Sequence, residues 1–261
     1  MPPMEDGPAF LPAPHRRQVT VPRARRCARS AGVVVTAAVA MACQTVHAQA
    51  SPLTGTIALN SQLVDRGVAV TRPGPVLQGA LAWTSPSGWS AGVSASAQLR
   101  TPRGFASFVA QVAHSWSLSA DWQMQANLLG YRYPSHGRAR TYDRTELGVS
   151  WIYRDVLTVG LSASHMNHYG GQRPRGAADI GVRWPLAGGF SLAASAGVAQ
   201  ELVPPRRAGY ERRNHYYYGH AGLTWDNGPW RVEVAHIASN RDRPAYQPRV
   251  SPWTATISRA F

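Results

Sequence analysis

The segment Ser251–Phe261 constrains the fold more than any other part of the chain. Trp253, Ala255, Ile257 and Phe261 stand at even spacing, with Thr254, Thr256 and Ser258 between them. That is the two-residue period of a strand with one apolar face and one small polar face. Such an edge left unpaired in water is a template for aggregation. Paired with the first strand of the same sheet it closes a barrel, and no edge remains. Arg259 interrupts the apolar face two residues from the end. A long side chain at that depth is expected to run along the apolar surface and place its charge at the water boundary.

The other end of the chain has a different character. Residues 1–30 hold six arginines and no periodic pattern, an apolar run extends from Ala31 to Cys43, and Ala48-Gln49-Ala50 follows. A basic region, a short apolar run and a small-residue cleavage site predict a secretory signal peptide over 1–50, because the run is too short to span a bilayer. Both cysteines, Cys27 and Cys43, fall in this leader, so residues 51–261 are expected to form one domain without a disulfide framework. All 27 basic side chains are arginine, and from position 51 onwards 21 of them face 11 acids. Such a surplus suits anions or anionic lipid. Nucleic acid is not the expected partner, because the chain carries an export leader and lacks an aromatic-plus-basic recognition module.

After Ser51 the recurring unit is about ten alternating residues and then a turn signal. Twelve such segments are predicted near 53–64, 75–84, 88–99, 105–116, 121–132, 142–153, 155–166, 176–184, 189–199, 214–226, 229–239 and 251–261. Their connections alternate between short and long, as in a transmembrane barrel with trimmed turns at one rim and loops at the other. Eight of the nine tryptophans cluster at the short turns: Trp83, Trp89, Trp116, Trp122, Trp151, Trp184, Trp225 and Trp230. They are expected to form a periplasmic aromatic girdle, with Tyr131, Tyr133, Tyr142, Tyr169, Tyr210 and Tyr246 near the opposite boundary. A soluble sandwich, the main rival fold, would bury its indoles instead.

Within strands the two faces separate. Trp122, Met124, Ala126 and Leu128 alternate with Gln123, Gln125 and Asn127. The second face is too polar for a dry core and too small for an open surface, as a wet lumen requires. A terminal Phe strand resembles those of bacterial outer-membrane barrels, in which such an end is what the barrel-assembly machinery reads, and Phe261 is the expected assembly signal. Several segments are similar to the TorF family of proteobacterial outer-membrane porins. They are Ser61–Gly67, Leu77-Gln78-Gly79, Pro86–Val93, Gly130–Pro134, Tyr142–Leu147 and Ile257–Phe261. The resemblance implies a Gram-negative outer-membrane barrel in contact with lipid and lipopolysaccharide, and a porin role.

Candidate site residues follow from the inward face. Gln123, Gln125, Asn127, Arg144, Glu146, Asp179, Arg183, Arg231 and Glu233 are expected in the lumen. They form either a charge-selective constriction or ion pairs that cross a narrow, plugged interior. Fifteen arginines in the long connections, Arg66 and Arg241 among them, make a positive mouth or ordinary solvated loop charge. His236 and Ser239 raise the question of a lipid hydrolase, but a spacing of three puts them on opposite faces of a regular strand. No metal, cofactor or catalytic set is expected. The reading is an all-β barrel of about twelve strands passing small hydrophilic solutes with a mild anion preference, with a non-conducting barrel acting through its Arg-rich loops as the alternative.

Overall fold

The computed structural model describes residues 52–100, 104–134, 143–167, 173–202, 215–241 and 247–261. The predicted leader 1–50 lies outside them. Twelve strands form one closed antiparallel ring: β1 (Leu53–Asn60), β4 (Val76–Thr84), β5 (Trp89–Gln98), β6 (Phe105–Ser117), β7 (Trp122–Arg132), β8 (Arg144–Tyr153), β9 (Leu157–Met166), β10 (Arg175–Pro185), β11 (Phe190–Gln200), β12 (His215–Asn227), β13 (Trp230–Ser239) and β14 (Trp253–Ala260). The fold expected from the sequence is therefore present. Two further strands, β2 (Val64–Asp65) and β3 (Val68–Ala69), pair only with each other.

The ring closes where β14 meets β1, in register from Thr56↔Ala260 to Asn60↔Thr256. Phe261 extends this seam, since its N–H donates to the Gly55 carbonyl at 3.0 Å and its carbonyl accepts from Gly55 N–H at 2.9 Å. The Phe261 ring lies over Gly55, where a Cβ would come within 2.4 Å of it. Glycine at that position is thus a seat for the terminal aromatic. On the lumen side Thr256 Oγ1 donates to Asn60 Oδ1 at 2.8 Å, and Asn60 Nδ2 donates to Gln78 Oε1 at 3.4 Å, so polar side chains stitch β14, β1 and β4 together.

The period-2 pattern decides which way each side chain points. Ile57, Leu81, Val93, Leu128, Leu147, Leu161, Ile180, Leu192 and Val234 are all exposed on the outside. A contiguous apolar exterior of this kind is foreign to a soluble monomer and suited to hydrocarbon, with each strand of the ring hydrogen-bonded to a neighbour on both sides. None of the eight girdle tryptophans is buried, and Trp184 reaches 60% exposure. They sit beside the short connections Ser85–Gly88, Leu118–Asp121, Arg154–Val156, Leu186–Gly189 and Gly228-Pro229. In one of these, Arg154 and Asp155 both take left-handed φ values, 45° and 60°, the backbone of a tight hairpin turn whose twist matches its strands. Arg154 Nε and Nη2 clamp Asp121 of the neighbouring turn at 2.7 and 3.0 Å.

The tyrosine half of the girdle is different. Tyr142, Tyr169, Tyr210 and Tyr246 lie outside the described residues. Tyr131 and Tyr133 turn inward and are 1% and 5% exposed. The reason is packing: with Val109 and Leu129 they form an apolar cluster inside the barrel.

Candidate functional site

The first connection on the loop side does not stay outside. β1 stops at Asn60, short of the expected 64, because the chain bends into the lumen. There Ser61–Pro75 forms the β2–β3 hairpin, with Leu63 and Val64 only 3% and 2% exposed. Gln62 anchors its stem. Gln62 Nε2 donates to the carbonyls of Thr71 at 2.9 Å and Arg249 at 2.7 Å, and Gln62 Oε1 accepts from Ser251 N–H at 2.7 Å. Leu63 N–H donates to Thr71 Oγ1 at 3.0 Å. The turn at the tip needs two left-handed residues, Arg66 (φ 48°) and Gly67 (φ 72°), the backbone that an Asp-Arg-Gly sequence reaches most easily at its glycine.

From that stem the hairpin crosses the whole lumen. Val70 packs on the Val109, Leu129, Tyr131 and Tyr133 cluster of β6 and β7. Val68 packs on the opposite cluster of Ala177, Ala199, Tyr216 and Tyr218, from β10 to β12. The tip reaches β8 and β9, far around the ring from β1. Arg66 pairs there with Glu146, and Arg66 Nη2 donates to Ser162 Oγ at 2.9 Å. Asp65 Oδ2 accepts from Arg144 Nη2 at 2.6 Å.

The wall half of this contact is fixed in advance. Arg144 is 1% exposed and lies 3.8 Å over the Tyr131 ring, a cation–π contact. Its Nη1 donates to Tyr133 Oη at 3.3 Å and its Nε to Glu146 Oε2 at 3.3 Å. Ser164 Oγ donates to Glu146 Oε2 at 3.0 Å. Two guanidinium groups and two carboxylates thus form a buried, charge-balanced quartet. Each charge is tolerable only because the others are present.

The expected lumen residues all face inward, but only some of them meet. Arg144 and Glu146 join the quartet. Asp179 and Arg183 do not pair with each other. Arg183 Nη2 instead donates to Asp226 Oδ2 at 2.5 Å, and Arg231 Nε donates to Asp226 Oδ1 at 2.6 Å. This second cluster sits at the short-turn end, and Glu233 makes no ion pair among the described residues. Gln125 Nε2 donates to Ser115 Oγ at 3.2 Å, Gln123 faces the same lumen, and Asn127 lies against Gly148, where a Cβ would come within 2.5 Å of its Oδ1.

Three participants were not singled out from the sequence. Asp65 and Arg66 read as loop charges, and Asp226 is only the last residue of the predicted segment 214–226. The inward parity of Asp226 with Tyr216, Tyr218 and His220 on β12 was the available signal. Arg241, expected in a positive mouth or as solvated loop charge, has a side chain only 8% exposed: its Nε and Nη2 bind Glu201 at 2.7 to 3.0 Å and its Nη1 binds Gln247. Arg103, Arg138, Arg140, Arg206, Arg207, Arg212, Arg213 and Arg243 lie outside the described residues. His236 points outward against the Trp253 ring, while Ser239 sits beside Gly67 of the hairpin. β12 and β13 pair there without a register shift, so that histidine and serine do not meet.

No curated protein matches the chain. Among solved structures, the KdgM porin superposes with a TM-score of 0.48 at 8% identity, covering 80% of this chain and 98% of that one. The NanC porin gives 0.49 at 12% identity, with 80% and 98% covered. The outer-membrane protein OprD from Pseudomonas aeruginosa gives 0.37 at 9% identity, with 74% and 60% covered. Residues 46–261 match the sequence profile of Gcw_chp, described as a bacterial protein of unknown function, and the chain belongs to that family.

Proposed function

We propose that this protein is a porin-type barrel of a Gram-negative outer membrane, through which small hydrophilic solutes pass. One observation carries the reading: a closed ring of twelve strands is apolar outside and polar inside. Only a protein that meets lipid on its outer face and water within needs that inversion. The segment 1–50 would direct export, Phe261 in its Gly55 seat would present the end of the barrel to the assembly machinery, and the outer loops would meet lipopolysaccharide. The resemblance to the TorF porins agrees with this reading. A mild anion preference rests on the arginine surplus of the chain, 21 against 11 acids from position 51 onwards. Of the two lumen clusters, the quartet is charge-balanced and adds nothing to it, whereas the Arg183–Asp226–Arg231 cluster sets two guanidinium groups against one carboxylate.

The hairpin gives the rival reading, a barrel that does not conduct, a specific basis, since it crosses the lumen. Planar-bilayer recordings of the refolded protein decide between the two. Discrete conductance steps with a reversal potential displaced toward the anion equilibrium are expected. If neither the wild type nor a variant with an unseated hairpin produces steps while migrating as a folded barrel, the passage is overturned.

A further inference from the structure

The tip of the hairpin carries a carboxylate and a guanidinium on adjacent residues, Asp65 and Arg66. The wall it touches carries the complement, Arg144 and Glu146. The wall pair has partners of its own besides the hairpin: Tyr131 and Tyr133 for Arg144, Ser164 for Glu146. The tip is seated less well. β2 and β3 share only two residue pairs, Val64↔Ala69 and Asp65↔Val68. Asp65 Oδ1 and Arg66 Nε are buried without a hydrogen-bond partner, and each such atom weakens the contact it belongs to. The stem, by contrast, is firmly tied through Gln62.

We propose that Arg144, Glu146 and Ser162 form a binding site for small zwitterionic solutes, and that the Asp65-Arg66 tip is its built-in occupant. The ligand class carries a carboxylate and a cationic group separated by about the span of neighbouring residues, as in basic amino acids and short peptides. This rests on the porin reading and names a solute class for it. If the tip leaves alone, Arg144 and Glu146 each lose an opposite charge in a buried setting, which disfavours departure. A solute that supplies both charges removes that penalty and satisfies the wall, so its presence shifts the population toward a displaced tip. The solute therefore opens the path that it uses.

The test is a planar-bilayer recording with the blocked dipeptide acetyl-Asp-Arg-amide as probe and acetyl-Asn-Gln-amide as the uncharged control. The probe is expected to raise open-state occupancy of the wild-type protein by about tenfold or more, and the control to leave it unchanged. D65N/R66Q should be open without the probe and indifferent to it. V70S loosens the apolar seat but keeps the charges, and should open more readily while still responding. Gel migration of unboiled samples establishes that each variant is folded. If D65N/R66Q conducts like wild type, or if the charged peptide has no more effect than the control, the proposal is wrong while the passage stands. If neither wild type nor either folded variant conducts, the passage reading fails and this one with it.

Discussion

At the scale of single residues, the energetics concentrate on Arg144. It is buried, stacked on Tyr131, and hydrogen-bonded to Asp65, Glu146 and Tyr133. Removing one member of a buried charge cluster strands the others and costs about 3–5 kcal/mol. Arg144→Met is therefore expected to lower the unfolding free energy of the barrel in lipid vesicles by an amount on that scale, read from urea titrations followed by tryptophan fluorescence. Gly67 tests the hairpin from another direction. Its φ of +72° and the Cβ atoms of Ser239 and Tyr218, at 2.8 and 2.9 Å from where its own would stand, leave no room for a side chain. Gly67→Val should unseat the tip, raise the conductance and leave folded-barrel migration intact. Neither effect was visible from alternation alone: Asp65-Arg66-Gly67 has the composition of any exposed turn, and nothing local to it states which wall lies 80 residues away.

At the scale of elements, strands and girdle follow from local chemistry, whereas the inward hairpin does not. Trp122 through Leu129 announces its two faces by parity, and that parity alone assigns Gln123, Gln125 and Asn127 to the inward face. The outward tryptophans beside the short turns make a direct prediction. In vesicles containing lipids brominated near the headgroup, their fluorescence should be quenched strongly, and aqueous acrylamide should quench it weakly; the reverse order would mean that they are not at a lipid boundary. Tyr131 and Tyr133 show the limit of the parity argument. Tyr131 has inward parity and Tyr133 follows the end of its strand, but their position near a loop suggested the outer membrane boundary. What turned them into a lumenal floor for Val70 and a cradle for Arg144 was the arrival of a hairpin from the other side of the ring.

At the scale of the whole molecule, closure is the property on which everything else depends. Every strand has two neighbours only because β14 reaches β1, and the last step of that seam is the Phe261–Gly55 pairing. The intact barrel is expected to migrate faster unboiled than boiled on a detergent gel. Gly55→Leu would push the Phe261 ring from its seat and should slow the appearance of the fast band during refolding, leaving the boiled position unchanged. The sequence by itself determined the ring: a period of two, trimmed turns and the even spacing of Ser251–Phe261 are local signals, and strand pairing in sequence order follows once each segment knows its faces. Only the tertiary structure decided what fills the lumen. Which carboxylate meets which guanidinium is a matter of distance across an enclosed space, and where charges are buried there the long-range partners, not the nearest residues in the chain, determine where each can reside.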